Sequence, residues 1–417
     1  MAARVGGAAV AMVVAAEVAG WLLSPRDEIP DPVPVSERDY FTPVELERAH
    51  DYSSGQRLLG LAGLGIEAAV LVVIAVNPPR PVRRALERVG ARPVAGAAAA
   101  GAGVALVVAV ATLPTGLIAH HRAVGAGLSD QSSGAWLWDV ARSTAITAGF
   151  AAIGAALLLA LVRRLPRSWW VPAAAGATLL AVVFTWLAPV VLAPIFNKFE
   201  PLPDSSRARA DVLELGRRAG VDIGEVYRVD ASRRTNTLNA YVDGIGSSRR
   251  VVLYDNLLER ADRPELDSVV AHELGHVAHD DIVRGLAMVA IVAPFGMLFA
   301  RELAGAITRR RGVDPGSPAA VPIYVLAFAV AGFALAIPGD QLSRRVEASA
   351  DQFALELTDD PRALIQVQRR LSRASLGDPD PPAVLHFLFG THPTTVQRIG
   401  AALAFERDLS EPETTPR

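Results

Sequence analysis

Seven separated runs of mostly apolar residues constrain this chain more than any other feature. They lie at about Val5 to Leu23, Leu58 to Val76, Val94 to Ile118, Ala145 to Val162, Trp169 to Leu192, Gly285 to Ala300 and Ala319 to Ile337. A helix needs about 20 apolar residues to cross the hydrocarbon of a bilayer. Only structures that satisfy their own backbone hydrogen bonds survive there. The expected fold class is therefore a multi-pass α-helical membrane protein of about seven spans. The sixth run is the shortest and also fits a buried soluble helix. The first could serve as a signal peptide, but Glu17 interrupts it and no small-x-small site precedes "SPRDEIPD", so an uncleaved span is expected. Glu67 lies mid-span, where a carboxylate is expensive and suggests a polar interior.

The charges that remain orient the chain. Lys198 is its only lysine. The loop "NPPRPVRRALERVGARP" carries five arginines, "RRLPR" three and "RELAGAITRRRG" four. Short loops of this kind stay in the cytoplasm. The segments around residues 24–57, 119–144, 193–281 and beyond 338 then face outward, in the plasma (inner) membrane of a bacterium. A formal net charge of -2 and the lack of a basic stripe argue against nucleic acid as a partner. The chain contains no cysteine, which excludes disulfides, thiolate metal sites and thiol catalysis.

Two outward stretches carry polar sequence with recognisable grammar. "SSRARADVLELGRRAG" has helical spacing that stops at Gly220, "EVYRVD" reads as a strand, and "TLNAYVDGIGSSRRVVLYDNLLE" reads as two strands around a turn at 244–248. The expected division is a membrane domain over 1–192, a mostly helical second domain with a small β element over 193–408 that includes spans 285–300 and 319–337, and a disordered tail over 409–417.

Within the second domain, "RPELDSVVAHELGHVAHDD" is a helix with Asp262 as cap and Pro264 in its first turn. His272 and His276 stand four apart and project from one face. Glu273 lies beside them, placed to take a proton from a metal-activated water. A chain with eight histidines shows this pattern by chance on the order of one time in a hundred. A hydrolytic zinc wants a third protein ligand and one open position. His279 cannot supply it, because seven helical residues separate it from His272 by roughly 10 Å. "SRRVEASADQFALEL" offers Glu347 and Asp351 one turn apart, so that one could bind metal and the other orient a ligand. The same spacing fits a solvated acidic face.

Taken together, five segments resemble the type I CaaX prenyl proteases and their HtpX-like bacterial relatives, membrane-embedded zinc endopeptidases. They are "APIFNKFEPL", "NAYVDGIGSSRRVVLYDNLLE", "VVAHELGHVAHDD", "SRRVEASADQFAL" and "HPTTVQRI", in family order. The resemblance implies one Zn2+ per chain held by His272, His276 and Glu347, with Glu273 as general base and Asp351 holding a ligand histidine. It implies that Asn239, Ala240 and Tyr241 lie on an edge strand that binds the substrate backbone. His392 and Arg398 would sit near the oxyanion or the carboxyl end of a peptide or protein substrate, itself possible at the membrane. Two features depart from the family. His120 and His121 stand where relatives often carry an acidic residue, and the loop arginines turn the catalytic face outward. The alternatives are a quality-control protease of HtpX type and, in another class, a non-catalytic scaffold or signal transducer on the same fold.

Overall fold

A computed structural model describes residues 2–244 and 249–410. All seven apolar runs are helical: α1 (Ala2–Leu23), α2 (Pro43–Val76), α4 (Pro93–Gly125), α5 (Ser133–Arg164), α6 (Trp170–Leu187), α11 (Asp281–Arg311) and α12 (Val321–Thr358). A π-helical turn carries α6 into the short α7 (Ala193–Phe196), and each of the seven is long and apolar enough to cross a membrane. Between them lie α3 (Arg80–Arg88), α8 (Arg207–Arg218), α9 (Asp255–Arg260) and α10 (Arg263–Ala278). The chain ends in α13 (Pro361–Ser375), α14 (Ala383–Phe389) and α15 (Thr395–Ser410).

The helices outrun the apolar stretches that announced them. α2 starts at Pro43 because Thr42 and Glu45 form a reciprocal capping box there, well ahead of the apolar run that begins at Leu58. α11 reaches 31 residues although its apolar run was the shortest, since polar, helix-forming ends extend it. α12 runs unbroken from a buried apolar half into the polar half that carries Glu347 and Asp351. Small residues set the helix spacing. A Cβ on Gly101 of α4 would lie 2.4 Å from the Ala151 carbonyl oxygen of α5, so glycine permits that close approach. α1 packs Met12, Ala16 and Ala19 against α11 and α12. Glu17 is exposed on its other side, and Glu67 is partly buried.

Outside the spans a four-stranded sheet runs in the order β1 (Phe199–Pro201), β2 (Glu225–Val229), β4 (Arg250–Tyr254), β3 (Ala240–Asp243). β2 and β4 are parallel, and β1 and β3 flank them antiparallel. β1 was not expected from sequence. Of the expected turn, residues 245–248 lie outside the described residues. Val226, Val251 and Leu253 of the sheet form one core with Leu215 of α8 and with Val270 and Leu274 of α10. The helix α15 takes in Leu409 and Ser410 of the expected tail, whose remainder, 411–417, lies outside the described residues.

The arginine-rich loops converge at one end of the bundle. Arg163 donates to the Gly316 carbonyl (2.9 Å) and Arg311 to that of Ala75 (2.6 Å). At the other end, the 24–42 segment lies on the peptidase helices, where the Val33 amide donates to the Gly400 carbonyl (3.1 Å).

Candidate metal centre

The H-E-x-x-H residues are rigid because α10 is held at every level. Asp262 accepts from the Glu265 amide and Glu265 returns a bond to the Asp262 amide, each at 3.0 Å. Pro264 occupies the first turn, where its missing N–H costs nothing. Leu266, Val270 and Leu274 anchor one face of α10 in the sheet core. The opposite face meets α12 at Gly275, where a Cβ would stand 3.2 Å from both the Ala350 Cα and the Phe353 Cβ. The glycine inside the motif is what brings the Glu347 turn of α12 up to the histidines. α10 then stops at Ala278, and Asp280 takes a left-handed conformation (φ 53°). That break folds Asp281, the first residue of α11, back beside His276.

Both histidines are oriented from behind. The Nδ1 of His272 donates to Asp351 (2.9 Å) and that of His276 to Asp281 (2.9 Å). The two Nε2 atoms therefore face Glu347, at 3.3 Å from its Oε2 and 3.7 Å from its Oε1 respectively. Donor atoms of His272, His276 and Glu347 all lie within 4.8 Å of one another. Bonds of about 2.0–2.1 Å to a tetrahedral ion put neighbouring ligand atoms about 3.3–3.4 Å apart. The buried Glu347 Oε2 has no hydrogen-bond partner among the described residues, although imidazole nitrogens of His272 and His392 stand 3.3 Å away. A buried acceptor left without a proper hydrogen bond is costly, and donor atoms converging without hydrogen-bond geometry fit a cation between them.

A further layer locks this arrangement. Arg398 grips both oxygens of the buried Asp351, with Nε donating to Oδ2 at 2.6 Å. Burial alone would push the His272 imidazole down. Its hydrogen bond to Asp351 and the negative charge of the nearby Glu347 carboxylate more than offset that and hold it up at about 9. Burial pushes the Glu273 carboxyl above the usual range, against the opposing pull of His272 and His276. Glu273 lines a cleft of about 140 Å3 with Asn239, Ser268, Gln368, His392 and Arg398. Apolar side chains, among them Leu238, Leu257 and Val269, form its remaining wall. His392 is half exposed at the rim, and its Nδ1 meets the Thr391 hydroxyl at 2.8 Å.

The structure thus brings together His272, Glu273, His276, Glu347, Asp351, His392 and Arg398. Ala240 and Tyr241 lie on β3, which forms one edge of the sheet, and Asn239 immediately precedes it. The other histidines singled out in the sequence lie apart from this cluster, His279 as its spacing requires. His279 stands outside the cluster, with its Nδ1 3.1 Å from the Ser349 hydroxyl and its ring edge-on to Phe353. His120 is buried and stacks on Trp136 (ring centroids 5.1 Å apart). Asp281 and Gln368 were not anticipated. The signal for Asp281 is present in "HVAHDD" only once the helix is known to break at Asp280.

Known proteins match nearly the whole chain. The profile of peptidase family M48 matches residues 204–406, and that described as "CAAX prenyl protease N-terminal, five membrane helices" matches residues 30–198. A Bacillus subtilis (strain 168) protein named "Uncharacterized metalloprotease YhfN" is 29% identical over 410 residues, 94% of this chain and 93% of its own. An Arabidopsis thaliana "CAAX prenyl protease 1 homolog" is 31% identical over 235 residues, and the chain spans about half (53%) of its length. A "Protease HtpX homolog" from Trichormus variabilis is 26% identical over 272 residues, 58% of this chain and 91% of its own. The crystal structure of S. mikatae Ste24p shares the fold at a TM-score of 0.78 and 18% identity, covering 95% of this chain and 98% of that one. The chain belongs to peptidase family M48 and is a membrane-embedded metalloendopeptidase.

Proposed function

We propose that the metal is zinc, one ion per chain, held by His272, His276 and Glu347. Two imidazoles and one carboxylate with an open side suit catalytic zinc. The observation that carries this reading is the convergence of three donors, one a buried carboxylate oxygen without a hydrogen bond, beside a carboxyl raised by burial. Zinc, when bound, supplies a Lewis acid at that point.

The chain's own residues supply the rest. Asp351 and Asp281 fix the histidine tautomers and leave both Nε2 atoms free to ligate. Glu273 accepts a proton from the attacking water and returns it to the leaving amine; a carboxyl raised toward neutrality suits both transfers. An extended substrate adds to the edge strand β3 through Asn239, Ala240 and Tyr241, which gives register without demanding a sequence. His392, at the rim of the cleft, donates to the carbonyl oxygen as negative charge develops there. Arg398 acts through Asp351, since its guanidinium is committed to that carboxylate.

We assign the protein to a bacterial plasma (inner) membrane with the metal centre on the outer side. Its substrates are extended segments of membrane-associated proteins, in the manner of the CaaX prenyl proteases. A second reading, a quality-control protease of HtpX type, draws support from the alignment over 91% of an HtpX homolog. Prenylated and unprenylated peptides of one sequence separate the two, because only the first reading requires a strong preference for the prenylated form. Zinc content and peptide hydrolysis of wild type and Glu347→Ala test the centre itself. Loss of both together supports the ligand set, whereas retained zinc would move the third ligand elsewhere. A chain without cysteine also makes sidedness simple to measure. Ser205→Cys should react with an impermeant thiol reagent in whole cells, and Ser168→Cys should not.

A further inference from the structure

At the end of the bundle remote from the metal centre, five spanning helices terminate around a cavity of about 490 Å3. Arg4 enters it from α1, Arg163 from α5, and Arg301 and Arg309 from α11. The lining acids are Glu302 and Asp314, and among the described residues only Arg301 has a carboxylate partner, Glu302 at 3.0 Å. Among the described residues, Arg4, Arg163 and Arg309 form no ion pair. One of these three is nevertheless held in place by a hydrogen bond, and another lies close against its own helix. Arg163 donates to the Gly316 carbonyl, and the Arg309 guanidinium folds back to 3.0 Å from where a Cβ on Gly305 would stand. Cations gathered into a concavity without matching anions repel one another, by about 1 kcal/mol per pair at 4 Å even in water. An anionic ligand relieves that repulsion.

The position of the cavity says which anion. Arg4, Arg163 and Arg301 sit at the ends of the apolar runs of their helices, the level at which lipid headgroups lie. Trp169 is buried edge-on to Tyr324 in the same wall (centroids 5.6 Å apart), and these two residue types favour the membrane interface. From this level α1 and α5 run into the bilayer with exposed apolar side chains such as Val10 and Leu157, against which acyl chains can lie. Guanidinium groups match phosphate oxygens with two parallel N–H bonds, and basic pockets between spanning helices bind anionic headgroups. We infer that this cavity is a binding site for the phosphate headgroup of an anionic phospholipid, clasped by Arg4, Arg163 and Arg309.

The test uses the full chain, delipidated in an uncharged detergent at fixed ionic strength. Its thermal midpoint is followed while short-chain phosphatidylglycerol, short-chain phosphatidylcholine or inorganic phosphate is added. Phosphatidylglycerol should raise the midpoint saturably, and the other two should not. The Arg163→Gln/Arg309→Gln variant should need at least ten times more phosphatidylglycerol for the same shift. An equal response to inorganic phosphate would make this a free-anion site and overturn the lipid assignment, as would an equal response to phosphatidylcholine. An undiminished phosphatidylglycerol response in the variant would overturn the location. Should that variant not fold, Arg163→Lys/Arg309→Lys keeps both charges while removing the forked geometry. It is then expected to weaken binding severalfold, and unchanged binding would count against the site.

Discussion

The two ends of the bundle use charge in opposite ways. At the metal centre the groups around the histidines are paired one by one: Asp351 lies between Arg398 and His272, Asp281 between His276 and Arg284, and Glu347 faces the histidines. At the arginine-rich end, Arg83, Arg84 and Arg88 are exposed and without ion pairs among the described residues. One end works by position, so a change of one atom matters. Outside the cavity, the exposed loop arginines of the other end work by sum, so that their number matters more than the place of any one. Each prediction below tests that division.

The strongest test removes chemistry while keeping shape. Glu273→Gln preserves the size of the side chain at the cleft but cannot take a proton. Hydrolysis should fall by roughly 10²- to 10⁴-fold, the usual worth of general acid–base catalysis, while metal content stays at the wild-type level. Loss of the metal along with activity would place Glu273 among the ligands instead. Next comes the layer behind the ligands. Asp351→Ala leaves the largely buried Arg398 without its partner, and breaking a buried pair in this way costs about 3–5 kcal/mol. The melting temperature and the metal affinity should fall together. Arg398→Ala in the same chain should restore part of the stability, because it removes the orphaned charge, but not the affinity, because His272 still lacks its acceptor.

How much of this was legible in sequence follows the same division. Groups that act by sum or by helical period could be read directly: the seven spans from their apolar length, α10 from Asp262, Pro264 and the i, i+4 histidines. Glu347 and Asp351 were less distinct, since their spacing alone fits any acidic helix face; the neighbouring motifs of the family singled them out. Asp281 could not be read. Five residues after His276, an unbroken helix would turn it well away from that ring, and only the left-handed Asp280 brings it back. Nor did the run "HVAHDD" announce that break. β1 was missed because three residues of "NKFEPL" carry too little period to mark a strand.

A change of pH should separate the metal-free and metal-loaded proteins. In the absence of metal, the carboxylates around His272 raise its pKa above the ordinary 6.5, to about 9. Its proton therefore stabilises the metal-free fold fully below pH 6.5, and that contribution is lost as pH rises through 9. Ligation needs the neutral ring, so the proton competes with metal below pH 9. Metal affinity should weaken by up to tenfold for each pH unit below 9. Between pH 6.5 and 9 the melting temperature of the metal-free protein should drift down, while the increment added by metal grows. Parallel curves for the two forms would mean that His272 carries no such proton.

The smallest effect is expected where charge works by sum. Arg84 is one of five arginines in the loop between the second and third spans, exposed and without an ion pair among the described residues. Arg84→Gln leaves four positive charges in that loop, and orientation follows the total carried by short loops rather than any one member. A surface substitution away from a packed or paired group changes stability by no more than about 0.5 kcal/mol. The variant should therefore melt with the wild type, hydrolyse peptide at the same rate, and leave Ser205→Cys as reactive to an outside reagent as before. A loss of activity from this single exposed arginine would show that the loop arginines also work by position, and that the two ends of the bundle are coupled.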